Sequence, residues 1–184
     1  MKKSLWYFSA PGHFFDFFNP IVDSLENILQ SKSVDEAGRA HGFLSSKRYD
    51  QRIEAINYAL NCDDGLGNQN YEQADIILIG VSRCGKTPSC LYMALQFGIY
   101  AANYPITDES IDQQHLPSSL KPFKHKLFGL TITPQRLHHI RSERRPNSQY
   151  ASMTQCQYEI AAVESLYQQQ HIPFLDSTHY SIEE

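Results

Sequence analysis

The sequence is short of the features that mark a stapled, nucleic-acid-binding or membrane-spanning chain. Its four cysteines, Cys62, Cys84, Cys90 and Cys156, show no CxxC spacing and are too sparse for a secreted disulfide framework. The histidines are scattered rather than paired with them, so a zinc site is not expected and the compartment reads as reducing. Positive charge is also scarce. Against 20 Asp and Glu stand 16 Lys and Arg, giving a formal charge of -4 and a pI near 6.0, with no sustained basic block to bind nucleic acid by counterion release. No apolar run reaches the length of a membrane span. Leu5-Trp6-Tyr7-Phe8 behind Lys2-Lys3 imitates a signal peptide, but Pro11-Gly12 and Asp16 interrupt it before an apolar region is complete. Internal repeats are missing, and the three glutamines Gln168 to Gln170 are the only biased tract. The expectation is a cytoplasmic protein without a membrane or nucleic-acid partner.

What is present is enough for one core. A chain of 184 residues with 41% hydrophobic content makes a single domain or slightly less. At this size folding buries roughly 68–75% of the unfolded surface, so neither disulfides nor metal are needed for stability. The first forty residues are aromatic-rich and irregular, with Phe14, Phe15, Phe17 and Phe18 crowded together. A helix-like stretch follows from Pro20 to about Ser31, with Ile21, Leu25, Ile28 and Leu29 on one face. A second helix spans Tyr49 to Leu60, its apolar positions being Ile53, Ile56, Tyr58 and Leu60, and it stops at the turn-forming run Asp63 to Asn68.

From there strands and helices alternate. Ile76-Ile77-Leu78-Ile79 is a continuous β-branched run bounded by Asp75 and Gly80, the pattern of a strand covered on both faces. A helix with Pro88 in its first turn and Gly98 as its stop comes next, with Leu91, Leu95 and Phe97 as apolar positions. Further strands are expected at Ala101–Asn103, Lys126–Ile132 and Ile172–Leu175, and further helices from Pro134 and from about Ser152 to Gln170. The second of these carries Met153, Cys156, Ile160, Val163 and Leu166 at helical spacing. The alternation predicts an α/β fold with a mainly parallel sheet flanked by helices. Ser181-Ile182-Glu183-Glu184 is a capping box, the start signal of a helix, so the fold reads as truncated at its C-terminus.

Gly80-Val81-Ser82-Arg83-Cys84-Gly85-Lys86-Thr87 satisfies GxxxxGK[ST] between a predicted buried strand and a predicted helix, the context the motif requires. Each position has a physical reason. The glycines let backbone N–H groups curl round an anion, Lys86 reaches the outer phosphates, Thr87 can ligate Mg²⁺, and the helix N-terminus adds its positive dipole. The expected fold is therefore P-loop NTPase-like. Other residues admit two readings each. Arg83 is either a surface ion-pair residue or a phosphate ligand, and Cys84 and Cys90 read as small packing residues rather than nucleophiles. Arg141, Arg144 and Arg145 could close over a transferring phosphate or merely complement a helix C-terminus. Asp63 and Asp64 could supply a general base or an outer Mg²⁺ ligand, or simply make a turn. Asp176 ends a strand as a Walker-B carboxylate does, although Ser177-Thr178 behind it suits a cap equally.

Several runs together resemble a known family. Gly80 to Ser89, Leu95 to Ile99, Ala101 to Pro105, Lys126 to Ile132 and Arg144 to Ser152, with Arg52 to Ile56 and Asp63 to Gly65, are similar to the bacterial regulatory proteins of phosphoenolpyruvate synthase and of pyruvate, phosphate dikinase. The likeness runs from about His41 to Glu184. It sets residues 1–40 apart as a divergent or partial N-terminal segment and makes 41–184 the P-loop kinase/phosphorylase domain. The resemblance implies a bifunctional enzyme with ADP as phosphoryl donor, which phosphorylates a threonine of the synthase and inactivates it. The same enzyme reverses this by phosphorolysis, with inorganic phosphate as acceptor and pyrophosphate as product. On this reading Gly80 to Thr87 hold the ADP phosphates with Lys86, and Thr87 holds the metal. Arg83, Arg141, Arg144 and Arg145 neutralise charge in transfer, and Asp63 or Asp64 accepts the proton. Family members carry a longer N-terminal region and a closing helix, so truncation at both ends is expected, and a homo-oligomer is compatible with the pattern. The dikinase as target, an ATP-dependent P-loop kinase of small molecules and a non-catalytic nucleotide switch remain the alternatives.

Overall fold

The computed structural model describes residues 19–33, 46–63, 70–107 and 115–183. The chain divides into two compact units, Met1–Leu44 and Ser45–Glu184. Helix α1, Asn19–Leu29, belongs to the first. Its Ile21, Leu25, Ile28 and Leu29 share a face as the spacing predicts, and all four are exposed.

The second unit alternates strand and helix after an opening helix. The order is α2 (Ser46–Asn61), β1 (Ile76–Gly80), α3 (Lys86–Phe97), β2 (Ala101–Pro105), β3 (Leu127–Thr131), α4 (Pro134–Arg144), α5 (Met153–Gln169) and β4 (Phe174–Asp176). Short 3-10 turns at Lys121–Lys126 and Gln149–Ala151 precede β3 and α5. The four strands among the described residues are all parallel, in the order β2-β1-β3-β4. The apolar run of β1 lies between two neighbours, Ile77 pairing with Ala102 on one side and Leu127 on the other. A strand hydrogen-bonded on both edges and covered on both faces can use only apolar side chains, which is why the run shows no alternation. The chain leaves β1 for β2 on one side and later returns to β3 on the other. The carboxyl end of β1 is therefore a topological switch point, where an open α/β sheet forms its crevice.

Helix α2 packs on α3 and β2, and α4 packs on α5, which lies against β3. Two helices bury only part of the faces expected: Tyr58 of α2 is buried, and Ile56 of α2 and Leu91 of α3 pack partly against the core. In α2 the buried residues are Ala55, Tyr58 and Ala59, while Ile53 and Leu60 are exposed. In α3 they are Lys86, Cys90 and Ala94, while Leu95 and Phe97 are exposed. Ala55 and Ala59 in one stripe and Cys90 and Ala94 in the other are small, so size as well as hydrophobicity selects the packed face where helices approach closely. In α5 the expected Cys156, Ile160, Val163 and Leu166 are indeed buried. Gly98 ends α3 as predicted, at φ 69, with its N–H donating to the Ala94 carbonyl. The capping box at Ser181 opens only a turn at Ile182–Glu183, and Glu184 lies outside the described residues. Among the described residues no helix is long and apolar enough to cross a membrane.

Tyr167 of α5 is fully buried under the sheet, its hydroxyl lying 2.9 Å from the Ile79 carbonyl and 3.2 Å from that of Leu130. The ring can come this close because position 129 lacks a side chain. A Cβ there would meet Tyr167 Cε2 at 2.7 Å and Phe174 Cβ at 2.8 Å. Gly129→Ala is expected to destabilise the domain by about 1–3 kcal/mol, the usual cost of overpacking, read as a lower midpoint in urea at unchanged slope.

Candidate functional site

The site begins where β1 runs out. Val81 is buried, Ser82 and Arg83 turn outward, and Arg83 adopts φ 77, a left-handed conformation that costs a non-glycine residue about 1–2 kcal/mol. Gly85 follows at φ 94 and serves as the N-cap of α3 without any side-chain capping bond. The first-turn N–H groups of α3 thus lack the side-chain acceptor that most helix starts supply, and they point with the positive end of the helix dipole into the crevice. Lys86 lies back along the loop, almost entirely buried, its ammonium donating to the Val81 carbonyl at 2.8 Å. Ser82, Arg83, Gly85, Lys86, Thr87 and Ile140 line a cleft of about 300 Å³ here.

Behind the cleft, three polar side chains meet that are separated in sequence. The Thr87 hydroxyl donates to Asp63 Oδ1 at 2.8 Å. Asn103, buried on β2, donates through its amide to Thr87 Oγ1 at 3.0 Å and to the same Asp63 oxygen. Both bonds to Asp63 fall on Oδ1, and Oδ2 accepts none among the described residues. The site-residue pair proposed from sequence is therefore split: Asp63 reaches the loop, and Asp64 lies outside the described residues. The sequence reading gave Asn103 no role. Its signal was an amide in an otherwise apolar strand, where a buried polar group requires partners.

Arg141 corrects an expectation. It is not a mobile guanidinium over the cleft but is fully buried, bonded to Glu159 at 2.9 and 2.6 Å. The same guanidinium donates to the carbonyls of Ser82 at 3.1 Å and Tyr150 at 3.0 Å, and it sits 4.1 Å from the centre of the Tyr150 ring. Burial alone would lower its pKa, but the hydrogen bonds and charge of Glu159 outweigh that and the net displacement is upward. Tyr150 in turn donates to Ser82 Oγ at 3.0 Å, so the outer part of the loop is held from two directions. Ser177 lies within reach of the Cys84 carbonyl at 3.2 Å and the Thr131 carbonyl at 3.0 Å, tying the loop to the end of β3.

Arg144 and Arg145 remain exposed at the end of α4, and with Ser82, Arg83 and Tyr150 they line a recess of about 240 Å³ beside the cleft. Asp176 makes a local turn, accepting from the backbone N–H and hydroxyl of Thr178, which is the capping alternative rather than a Walker-B one. All four cysteines are free and buried. Desolvation raises the Cys84 thiol against the opposing charge of Lys86, and burial followed by the Asp63 charge pushes Cys90 up to about 12, so both are packing residues. Among the described residues no group of three or more His, Cys, Asp and Glu side chains is assembled that could hold a metal. A cation here would share the Thr87 hydroxyl with phosphate oxygens and water, the oxygen-rich ligation that suits Mg²⁺.

The parallel sheet, the glycine loop at its switch point and the uncapped helix behind it define a P-loop-like α/β domain of the kinase kind. The chain belongs to the kinase/pyrophosphorylase family, whose model matches residues 9–184. A Legionella pneumophila (strain Corby) protein named "Putative phosphoenolpyruvate synthase regulatory protein" is 59% identical over 170 residues, covering 92% of this chain and 63% of its own length. Proteins of the same name from Aeromonas salmonicida and Laribacter hongkongensis are 56% and 54% identical, over 95% and 92% of this chain and 64% and 62% of their own. The chain thus spans under two thirds of the length of these relatives.

Proposed function

We propose that the protein is a bifunctional regulator of phosphoenolpyruvate synthase, which transfers a phosphoryl group from ADP to a threonine of the synthase and removes it again by phosphorolysis. The observation that carries the reading is the loop itself: an uncapped helix N-terminus and a buried lysine facing a cleft, with Asp63 anchored 2.8 Å from Thr87 at its back. The family and the names of its relatives support the same reading.

In the forward direction the backbone from Gly80 to Thr87 and the Lys86 ammonium hold the ADP phosphates, while Arg83 offsets charge on the transferring group. Asp63, its Oδ1 fixed by Thr87 and Asn103, uses Oδ2 to take the proton from the threonine hydroxyl as its oxygen bonds to the β-phosphorus and AMP departs. In the reverse direction inorganic phosphate occupies the place AMP leaves. One of its oxygens attacks the phosphothreonine phosphorus, the Oγ–P bond breaks, Asp63 returns the proton, and pyrophosphate remains in the cradle. One cradle serves both directions because each has a diphosphate on one side of the reaction. Thr87 would hold Mg²⁺, which offsets phosphate charge when bound. The nucleoside extends toward the adjoining cleft of about 290 Å³, where Ile132, Arg136, Ile140, Tyr180 and Ile182 supply apolar walls and a cation.

Calorimetric titration with ADP and with ATP, each with Mg²⁺, tests the assignment. ADP is expected to bind more tightly than ATP, and Lys86→Ala to weaken it about 10–100-fold, the range for a charge-assisted hydrogen bond. Preference for ATP would remove the ADP reading and leave an ordinary P-loop kinase. Phosphorolysis that survives in Lys86→Ala while ADP-dependent phosphorylation is lost would disprove the shared cradle.

A further inference from the structure

The recess beside the cleft has walls the cradle does not use. Arg144, Arg145 and Tyr150 line it and are not part of the cleft, whereas Lys86 and Thr87 line the cleft and are not part of the recess; Ser82 and Arg83 are common to both. Its floor is fixed by the Tyr150 hydroxyl on Ser82 Oγ at 3.0 Å and by Arg141, which bonds the Ser82 and Tyr150 carbonyls and stacks on the Tyr150 ring. The loop carrying Arg145 is closed by the Ser148 hydroxyl, which donates to the Arg145 carbonyl at 2.8 Å.

The charge is uncompensated within the described structure. Arg141 is answered by Glu159, but Arg83, Arg144 and Arg145 form no ion pair among the described residues. A helix C-terminus favours arginine without any ligand, and that accounts for Arg144 and for Arg145 at the C-cap. It does not account for Arg83, which comes from a different segment and is held at φ 77. Cations gathered from two segments repel one another, and a multiply charged anion between them turns that repulsion into attraction. Guanidinium forks match phosphate oxygens in geometry as well as charge.

We propose that this recess is a second anion subsite, which binds a phosphate dianion while a nucleoside diphosphate occupies the cradle. The inference rests on the cradle reading given above. The dianion comes either from free inorganic phosphate or from the phosphothreonine of a protein target, and the shared wall at Arg83 brings it beside the diphosphate end of the cleft.

The test is calorimetry on the chain saturated with ADP and Mg²⁺, titrated separately with inorganic phosphate, with a phosphothreonine peptide and with the unphosphorylated peptide. A second anion is expected to bind the ADP-loaded chain. Arg144→Ala/Arg145→Ala is expected to weaken that binding at least about tenfold while ADP affinity stays within about threefold, since the lost groups donate charge-assisted bonds only to the second anion. Both residues are exposed, and an unchanged thermal midpoint verifies folding. Binding of inorganic phosphate identifies the free ion as the occupant. Binding of the phosphopeptide alone identifies the target's side chain. ADP bound with no second anion, a double variant that still takes the anion as the wild type does, or loss of ADP affinity in parallel with the anion each overturns the subsite and leaves the cradle standing. A wild-type chain that binds no ADP overturns the cradle reading and this inference with it.

Discussion

Arg141→Met is expected to lower the stability of the domain by roughly 3–5 kcal/mol, the cost of leaving one member of a buried ion pair without the other. Glu159, under a tenth exposed, would keep only the Gln155 amide at 3.1 Å as a side-chain donor among the described residues. The loss should appear as a large drop in denaturation midpoint. It should also appear in ligand binding, because Arg141 is a positioning residue for the loop through the Ser82 carbonyl. The two effects separate in the double variant Arg141→Met/Glu159→Leu. Replacing an entire buried pair by apolar groups of similar volume is often neutral or stabilising, so most of the stability should return. The tie to Ser82 does not return with it, and ADP affinity should stay reduced by about 3–10-fold, the worth of one or two net hydrogen bonds. A double variant that binds ADP as the wild type does would reduce Arg141 to a stability element with no part in shaping the site.

The second large effect is at Asp63. Asp63→Asn keeps the shape of the side chain and an acceptor for Thr87 but removes the ability to take a proton. Phosphoryl transfer to the synthase is expected to fall about 10²–10⁴-fold, the usual contribution of a general base, while the dissociation constant of Mg²⁺-ADP changes less than about threefold. The control is Asn103→Ala, which removes an amide bonded to both Asp63 and Thr87 and leaves the carboxylate in place. It is expected to slow transfer less than Asp63→Asn does, because the base is misaligned rather than deleted. If Asp63→Asn instead weakens Mg²⁺-ADP by tenfold or more with little effect on turnover, Asp63 is a metal partner and the base lies elsewhere.

The legible part of this protein was the part governed by local rules. A β-branched run reads as a doubly covered strand because no polar side chain can stand there, and GxxxxGK[ST] reads as a phosphate loop because only that backbone can wrap an anion. Gly98 announced the end of α3 and the 3.6 periodicity of α5 announced its buried face, each from a few neighbouring residues. Where the outcome depended on which element lay opposite, the same rules misled. Leu95 and Phe97 suggested one face of α3, but the partner helix approaches closely and the small Cys90 and Ala94 are packed instead.

The sequence by itself determined the α/β alternation, the loop and its lysine, because each is written within a few residues and obeys steric limits that need no partner. The tertiary structure alone decided the fate of the charges. Arg141, Arg144 and Arg145 are alike as letters, yet position 141 falls on the stripe of α4 turned toward Glu159 and is buried, while its neighbours end the helix in the open. Asp63 is tied to the loop because parallel pairing of β1 with β2 puts Leu78 opposite Asn103, and Asn103 joins Thr87 and Asp63, 16 and 40 residues away. Electrostatic energy depends on distance and burial in space, and neither quantity is recorded along the chain.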